Sequence, residues 1–135
     1  MSAEESEAVV RRFWEEVWNN RNQAVAQELV TPEELPEVMR FYDVFMKSSS
    51  DLRVTIEDMF AEGNKVADRI TFAGTHDGSL SIPGMNVPPT GKYLKIQMVE
   101  IWEVRDGKMA AHKGEWDRVG MMRQLGMVPG GPPPS

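Results

Sequence analysis

Lys92-Tyr93-Leu94-Lys95-Ile96-Gln97-Met98-Val99-Glu100-Ile101-Trp102-Glu103-Val104 decides the fold, because it alternates over its whole length. Leu94, Ile96, Met98, Glu100, Trp102 and Val104 share one face; Tyr93, Lys95, Gln97, Val99, Ile101 and Glu103 share the other. A period of two is that of a β-strand, whose successive side chains point to opposite sides. Both faces carry apolar residues, so one can line a core while the other meets a second subunit. Glu100 is out of place between Met98 and Trp102. A carboxylate in such company must be paired, protonated or functional, since desolvating a lone charge costs several kcal/mol.

The pattern extends outward on both sides. Arg105-Asp106-Gly107 reads as a hairpin turn, and Lys108 to Trp116 as the returning strand. Upstream, Leu52 to Phe60 is a predicted strand with Val54 and Ile56 on one face. The Glu62-Gly63-Asn64-Lys65 turn follows, then a strand from Val66 to His76. Here Val66, Asp68, Ile70, Phe72, Gly74 and His76 share a face, which puts a second acid, Asp68, among apolar neighbours. Asp77 to Gly91, with Pro83-Gly84 and Pro88-Pro89, reads as a loop long enough to form a functional rim.

Before the strands the period is helical. Residues 4–30 place Val9, Val10, Phe13, Trp14, Val17 and Trp18 at helical spacing, with a break at Asn19-Asn20-Arg21-Asn22 and a second helix from Gln23 to Val30. Thr31-Pro32-Glu33-Glu34 reads as a helix start, with Thr31 as N-cap and acids at the positive end of the dipole. That helix carries Val38, Met39, Phe41, Tyr42, Phe45 and Met46 to a stop at Ser48-Ser49-Ser50. Residues 118–125 form a short last helix. Residues 1–128 are expected to make one domain, and the Pro/Gly-rich tail 129–135 to be disordered. Helices followed by an antiparallel sheet give an α+β fold, a curved sheet wrapped around helices as a cone with an apolar cavity.

Composition narrows the function classes. The 135 residues carry a net charge of −6, which disfavours nucleic acid and anionic membranes as partners. There is no cysteine and there are two histidines, so disulfides, thiol catalysis and a His-rich metal site are not expected, and a reducing cytoplasm is. The acidic N-terminus lacks the apolar core of a signal peptide, and no stretch approaches the roughly 20 apolar residues of a membrane span. Ten methionines suit an adaptable pocket for a bulky apolar ligand.

The candidate chemical groups are therefore acids and histidines. Asp117 lies where the strand pattern becomes helical, and reads either as a buried general acid/base or as a helix N-cap. Asp68 and Glu100 read as pocket carboxyls; salt bridges from Glu100 to Arg69 or Lys95 are the structural alternative. His112 can shuttle a proton or orient a carbonyl, or be a hydrogen-bonded strand histidine. His76 opens the long loop. Trp14, Trp18, Phe41, Tyr42, Phe45, Phe72, Met98, Trp102 and Trp116 are expected to form core and cavity wall.

Several segments in order resemble SnoaL-like polyketide cyclases, within the NTF2-like superfamily. They are residues 6–30, Asp51-Leu52-Arg53-Val54-Thr55-Ile56-Glu57-Asp58-Met59, Gly74-Thr75-His76 and Pro88-Pro89-Thr90-Gly91-Lys92, then Asp106-Gly107-Lys108-Met109, His112, Trp116-Asp117-Arg118-Val119-Gly120 and Gln124-Leu125-Gly126. The resemblance implies intramolecular aldol ring closure without metal or cofactor. It implies Asp117 as the acid/base, with His112 as the histidine of the last strand. It further implies an apolar, oxygenated small-molecule substrate; the two-sided apolar sheet favours a homodimer. Epoxide opening or spiro-ring formation, and a binding module without catalysis, are the other readings this fold admits. The chain departs from the family where Val30-Thr31-Pro32 leads directly into a helix: the usual first-strand segment is missing. It departs again at His112-Lys113-Gly114, where the family often has His-Trp. A cavity wall that is open, reorganised or completed by another subunit is expected there.

Overall fold

The structure, a computed structural model, describes residues 2–127. The tail expected to be disordered lies outside the described residues. Helix α1 (Ala3–Arg12) starts with a reciprocal cap: Glu5 N–H donates to Ser2 Oγ at 3.0 Å, and Ser2 N–H to Glu5 Oε1 at 3.3 Å. It then widens into a π-helical segment, Phe13–Asn19, closed by Asn20 N–H donating to Glu15 O at 2.9 Å. The wider turn buries Phe13, Trp14, Val17 and Trp18 together.

The break falls where the sequence puts it. Arg21 takes a left-handed conformation (φ +58°), and its guanidinium donates to Trp18 O and Leu52 O, each at 2.6 Å. A 3₁₀ turn (Gln23–Val25) and a one-turn helix, α2 (Ala26–Leu29), follow.

Val30 then makes a single parallel bridge to Met109. Thr31 N–H donates to Met109 O at 3.0 Å. The missing first strand is thus reduced to one bridge. Helix α3 (Leu35–Ser48) begins later than expected, with Glu34 at its N-cap and Pro36 in its first turn. Thr31 does not cap with its side chain, whose Oγ1 is buried without a partner; its carbonyl instead accepts from the N–H groups of Glu34 and Leu35.

Strands β1 (Arg53–Glu62) and β2 (Lys65–Thr75) form the first hairpin. The segment expected to be a plain loop contains a second one, β3 (Leu80–Ile82) and β4 (Met85–Val87), turning at Pro83-Gly84 with Gly84 at φ +81°. Strands this short show no readable period. The sheet is completed by β5 (Tyr93–Arg105) and β6 (Lys108–Trp116), in the antiparallel order β1-β2-β5-β6. Register shifts at Ile56/Asp58 and at Glu103/Val104 bend the outer pairs. The sheet closes over α1, the π-segment and α3, and its inner face carries Val66, Ile70, Phe72, Leu94, Ile96 and Trp102, all buried. Helix α4 (Arg118–Gln124) docks on β5: Gln124 exchanges two hydrogen bonds with the Lys95 backbone, at 2.8 and 2.7 Å. No helix among the described residues is long and apolar enough to cross a membrane.

Candidate active site

Strand register places Asp68 directly opposite Glu100 across β2 and β5. Opposed residues hold their Cβ atoms about 4.5–5.5 Å apart, so the two carboxyls share one patch. Each residue is 2% exposed. Trp14 Nε1 donates to Asp68 Oδ2 at 2.9 Å, whereas Asp68 Oδ1 and Glu100 Oε1 have no partner. Burial raises the Asp68 carboxyl to about 7, against the opposing pull of the Trp14 and Trp102 indoles. Glu100 is pushed well above the usual carboxylate range, first by burial and then by the charge of Asp68, with Trp102 again opposing. Trp102 Nε1 completes no hydrogen bond, so it acts on both acids as a nearby dipole. Two carboxyls in one dry patch cannot both ionise cheaply, so the pair holds a proton near neutral pH.

Glu100 lines a cavity of about 80 Å³ between the π-segment, α3, β5 and β6. Phe13, Trp14, Trp18, Val38, Phe41, Met98 and Trp102 supply the apolar wall, and Glu37 and His112 the remaining polar groups. Asp68 is not in the wall; it lies beside Glu100 on the neighbouring strand. Glu37 is exposed and marks the mouth. His112 is paired with Trp102 across the strands, their rings 4.5 Å apart and tilted by 30°. His112 Nδ1 lies 2.9 Å from Glu34 Oε2. Gly114 is opposite Glu100, and a Cβ there would lie only 2.7 Å from Glu100 Cβ. The strand must omit a side chain at this point for Glu100 to keep its place.

Of the residues singled out in the sequence, Glu100, Asp68, His112, Trp14, Met98 and Trp102 come together here. Asp117 does not join them. It is exposed and N-caps α4, its Oδ1 accepting from Gly120 N–H at 2.8 Å. The reason is strand phase: His112, Gly114 and Trp116 are the β6 residues opposite Trp102, Glu100 and Met98, and Asp117 follows one step out of phase.

Phe45 and Phe72 stack on one another in the core (5.4 Å, 11°), and Tyr42 packs on Trp18 at 5.1 Å. Trp116 is half-buried against Phe45. None of these four lines the cavity. His76 is a latch for the loop before β5: Thr90 N–H donates to its Nδ1 at 3.3 Å, its own N–H donates to Lys92 O, and burial lowers its pKa.

Glu34, Glu37 and Gly114 were not singled out. Glu34, Glu37 and Phe41 recur at helical spacing along the start of α3, and that period was the available signal.

The profile of SnoaL-like polyketide cyclases matches residues 8–125. Similar solved structures include TsrD from Streptomyces laurentii, with 23% identity, TM-score 0.82, and 95% of this chain and 99% of that one covered. AclR from Streptomyces galilaeus, provisionally described as a hydroxylase, has 24% identity, TM-score 0.81, and 97% and 87% covered. IdmH from Streptomyces antibioticus, provisionally described as a polyketide cyclase, has 23% identity, TM-score 0.76, and 90% and 98% covered. At these identities the likeness shows the NTF2-like fold. No curated protein gives a significant match. With its fold in common with these structures and its profile match covering nearly all of the described residues, the chain belongs to the SnoaL-like polyketide cyclase family.

Proposed function

We propose that the protein is a cofactor-free cyclase or isomerase in which Glu100 transfers the proton, Asp68 holds Glu100 protonated, and His112 is the second acid/base group. The observation that carries this is the buried Asp68–Glu100 pair, each acid with an unpartnered oxygen and Glu100 facing the cavity. A carboxyl whose pKa is lifted toward working pH is the group an enolisation needs. In an aldol closure the base takes a proton from the carbon beside a carbonyl. Glu100 gives its proton to the carbonyl oxygen as the C–H electron pair becomes the enol double bond. The enol carbon adds to a second carbonyl carbon, whose oxygen takes the proton from the base. The first oxygen returns its proton to Glu100, and every atom of the substrate is retained.

The cavity restricts the substrate. It encloses about 80 Å³, below the roughly 300–1,000 Å³ of sites that swallow a drug-sized ligand. The reacting end of the substrate enters, and the remainder lies across the mouth. Two acids and no Lys or Arg line the wall, so the entering part is uncharged and apolar apart from its carbonyl.

Ring closure of linear β-polyketone esters tests the proposal. Glu100→Gln is expected to lose on the order of 100- to 10,000-fold in kcat with unchanged circular dichroism. Asp117→Asn, which caps equally well, is expected to keep its turnover. The opposite pattern would return the role to Asp117. A second reading, epoxide opening with ring formation, is favoured by the same pair: one protonated and one ionised carboxyl suit protonation of an epoxide oxygen and activation of a hydroxyl. A hydroxy-epoxide assayed with the same variants separates the two. If neither substrate class turns over while apolar carbonyl compounds still bind, the cone is a binding module.

A further inference from the structure

We propose that Glu34 is a positioning residue: it fixes His112 in the tautomer whose free nitrogen can act as the base. Its catalytic consequence rests on the acid/base reading above, whereas the tautomer can be tested without it.

Glu34 stands at the N-cap of α3, yet its side chain makes no capping bond. It reaches β6 instead, and meets His112 Nδ1 at 2.9 Å. The reduced first strand makes this possible. Val30 bridges Met109 in parallel, and Thr31 N–H donates to Met109 O at 3.0 Å, so the two chains leave that anchor side by side. The turn at 32–34 then brings Glu34 level with His112. A longer strand would occupy the edge that Glu34 now covers. The side chains are only 21% and 19% exposed, so the bond is shielded from competing water.

A carboxylate accepts and does not donate, so this bond puts the imidazole proton on Nδ1. No hydrogen bond reaches Nε2 among the described residues, and the ring lines the cavity. Nε2 is therefore left as an acceptor. The opposite tautomer would present an N–H there. Protonated Glu100 and His112 would then both be donors, and no base would face the substrate. With Nε2 free, the two groups divide the work: Nε2 takes the carbon-bound proton and Glu100 gives its proton to the carbonyl oxygen. The imidazolium formed is held beside the Glu34 carboxylate, which balances its charge.

The chain supplies its own control. It has two histidines, and His76 meets no carboxylate: its Nδ1 faces Thr90 Oγ1 at 2.8 Å and Thr90 N–H at 3.3 Å, so its tautomer does not depend on Glu34. Long-range proton–nitrogen spectra of the ¹⁵N-labelled full chain at mildly alkaline pH are expected to show His112 as the Nδ1–H form, with His76 as the internal reference. In Glu34→Ala, His112 is expected to shift to mainly Nε2–H while His76 is unchanged, which also reports an intact fold. Glu34→Gln keeps an acceptor oxygen and is expected to restore Nδ1–H. Glu34→Met gives the same reading as Ala with the side-chain volume kept, should Ala fail to fold. In the ring-closure assay kcat is expected to drop on the order of 100-fold in Ala, with KM little changed, and to recover in Gln.

An Nε2–H form at His112 in the wild type would overturn the proposal. So would an unaltered tautomer in both Ala and Met, or a switched tautomer with unchanged kcat. If the wild type turns over none of the substrates, the proposed function fails, and the spectra still decide what Glu34 does.

Discussion

Asp68 has an ordinary pKa of 3.8, and the fold raises it to about 7 by burial. Between those values the folded chain binds more protons than the unfolded chain, so this residue makes stability fall as pH rises through the window and stay level above it. Glu100, raised by burial and by Asp68, has the same sign and carries the effect higher. His76 opposes them: burial lowers its pKa from 6.5, so its contribution grows as pH rises toward that value. Subtracting the unfolding curve of Asp68→Asn from that of the wild type cancels His76. The Asn variant is expected to gain on the wild type as pH rises from ~4 to ~7, by on the order of a few kcal/mol, in part through Glu100, which loses the charge that raises it. A pH-independent difference would show that Asp68 ionises normally. The phase of Glu100 and Asp68 in their strands was readable from alternation alone. The placement of Asp117 away from the Glu100 cavity was not, because a residue just past a strand end has no period to fix which way it points.

At the scale of elements, a missing side chain matters as much as those present. Gly114 lies against Glu100, and Gly114→Ala brings a Cβ within 2.7 Å of Glu100 Cβ. Overpacking of this kind costs roughly 1–3 kcal/mol. The expected outcome is a lower melting temperature together with reduced ring closure, because Glu100 must shift. Normal turnover with only lowered stability would separate the packing of β6 from the chemistry. The long strands were legible because their burial alternates over many residues. The β3–β4 hairpin was not, being three residues a side. The start of α3 was displaced from Thr31 because the backbone of that residue is already committed to Met109, a contact distant in sequence.

For the whole molecule, the outer face of the sheet is the unfinished part. Phe60 is 70% exposed, Tyr93 60%, and Val99 and Ile101 each 53%. Val99 and Ile101 are neighbours on one strand and Ala67 links Ile101 to Phe60, while Lys95 and Gln97 separate Tyr93 from them; an exposed apolar patch of this kind marks association, and a two-fold pairing of this face with itself is expected. Light scattering should report a dimer in the wild type, and Val99→Lys with Ile101→Lys should give a folded monomer by placing like charges across the axis. A monomeric wild type would remove the homodimer. Both faces of the Lys92–Val104 strand were visible as apolar in the sequence, so this surface was foreseeable, whereas the size of the cavity was not. Volume depends on how Trp14, Trp18 and Phe41 fill the cone, which no linear pattern encodes.

The Val30–Met109 bridge has a further consequence for motion. Among the described residues, the hydrogen bonds across the seam between residues 30–34 and β6 are those of the single Val30–Met109 bridge, Thr31 N–H to Met109 O among them, and the Glu34–His112 contact. The β2–β5 ladder, by contrast, is paired along its whole length. Local opening follows the least-bonded boundary, so this seam breathes at a lower free energy than the ladder, on a timescale that amide exchange can follow. It runs along the wall beside His112. Faster amide exchange at Val30, Thr31 and Met109 than along the β2–β5 ladder is the expected outcome, and each opening of the seam would part the imidazole from its carboxylate.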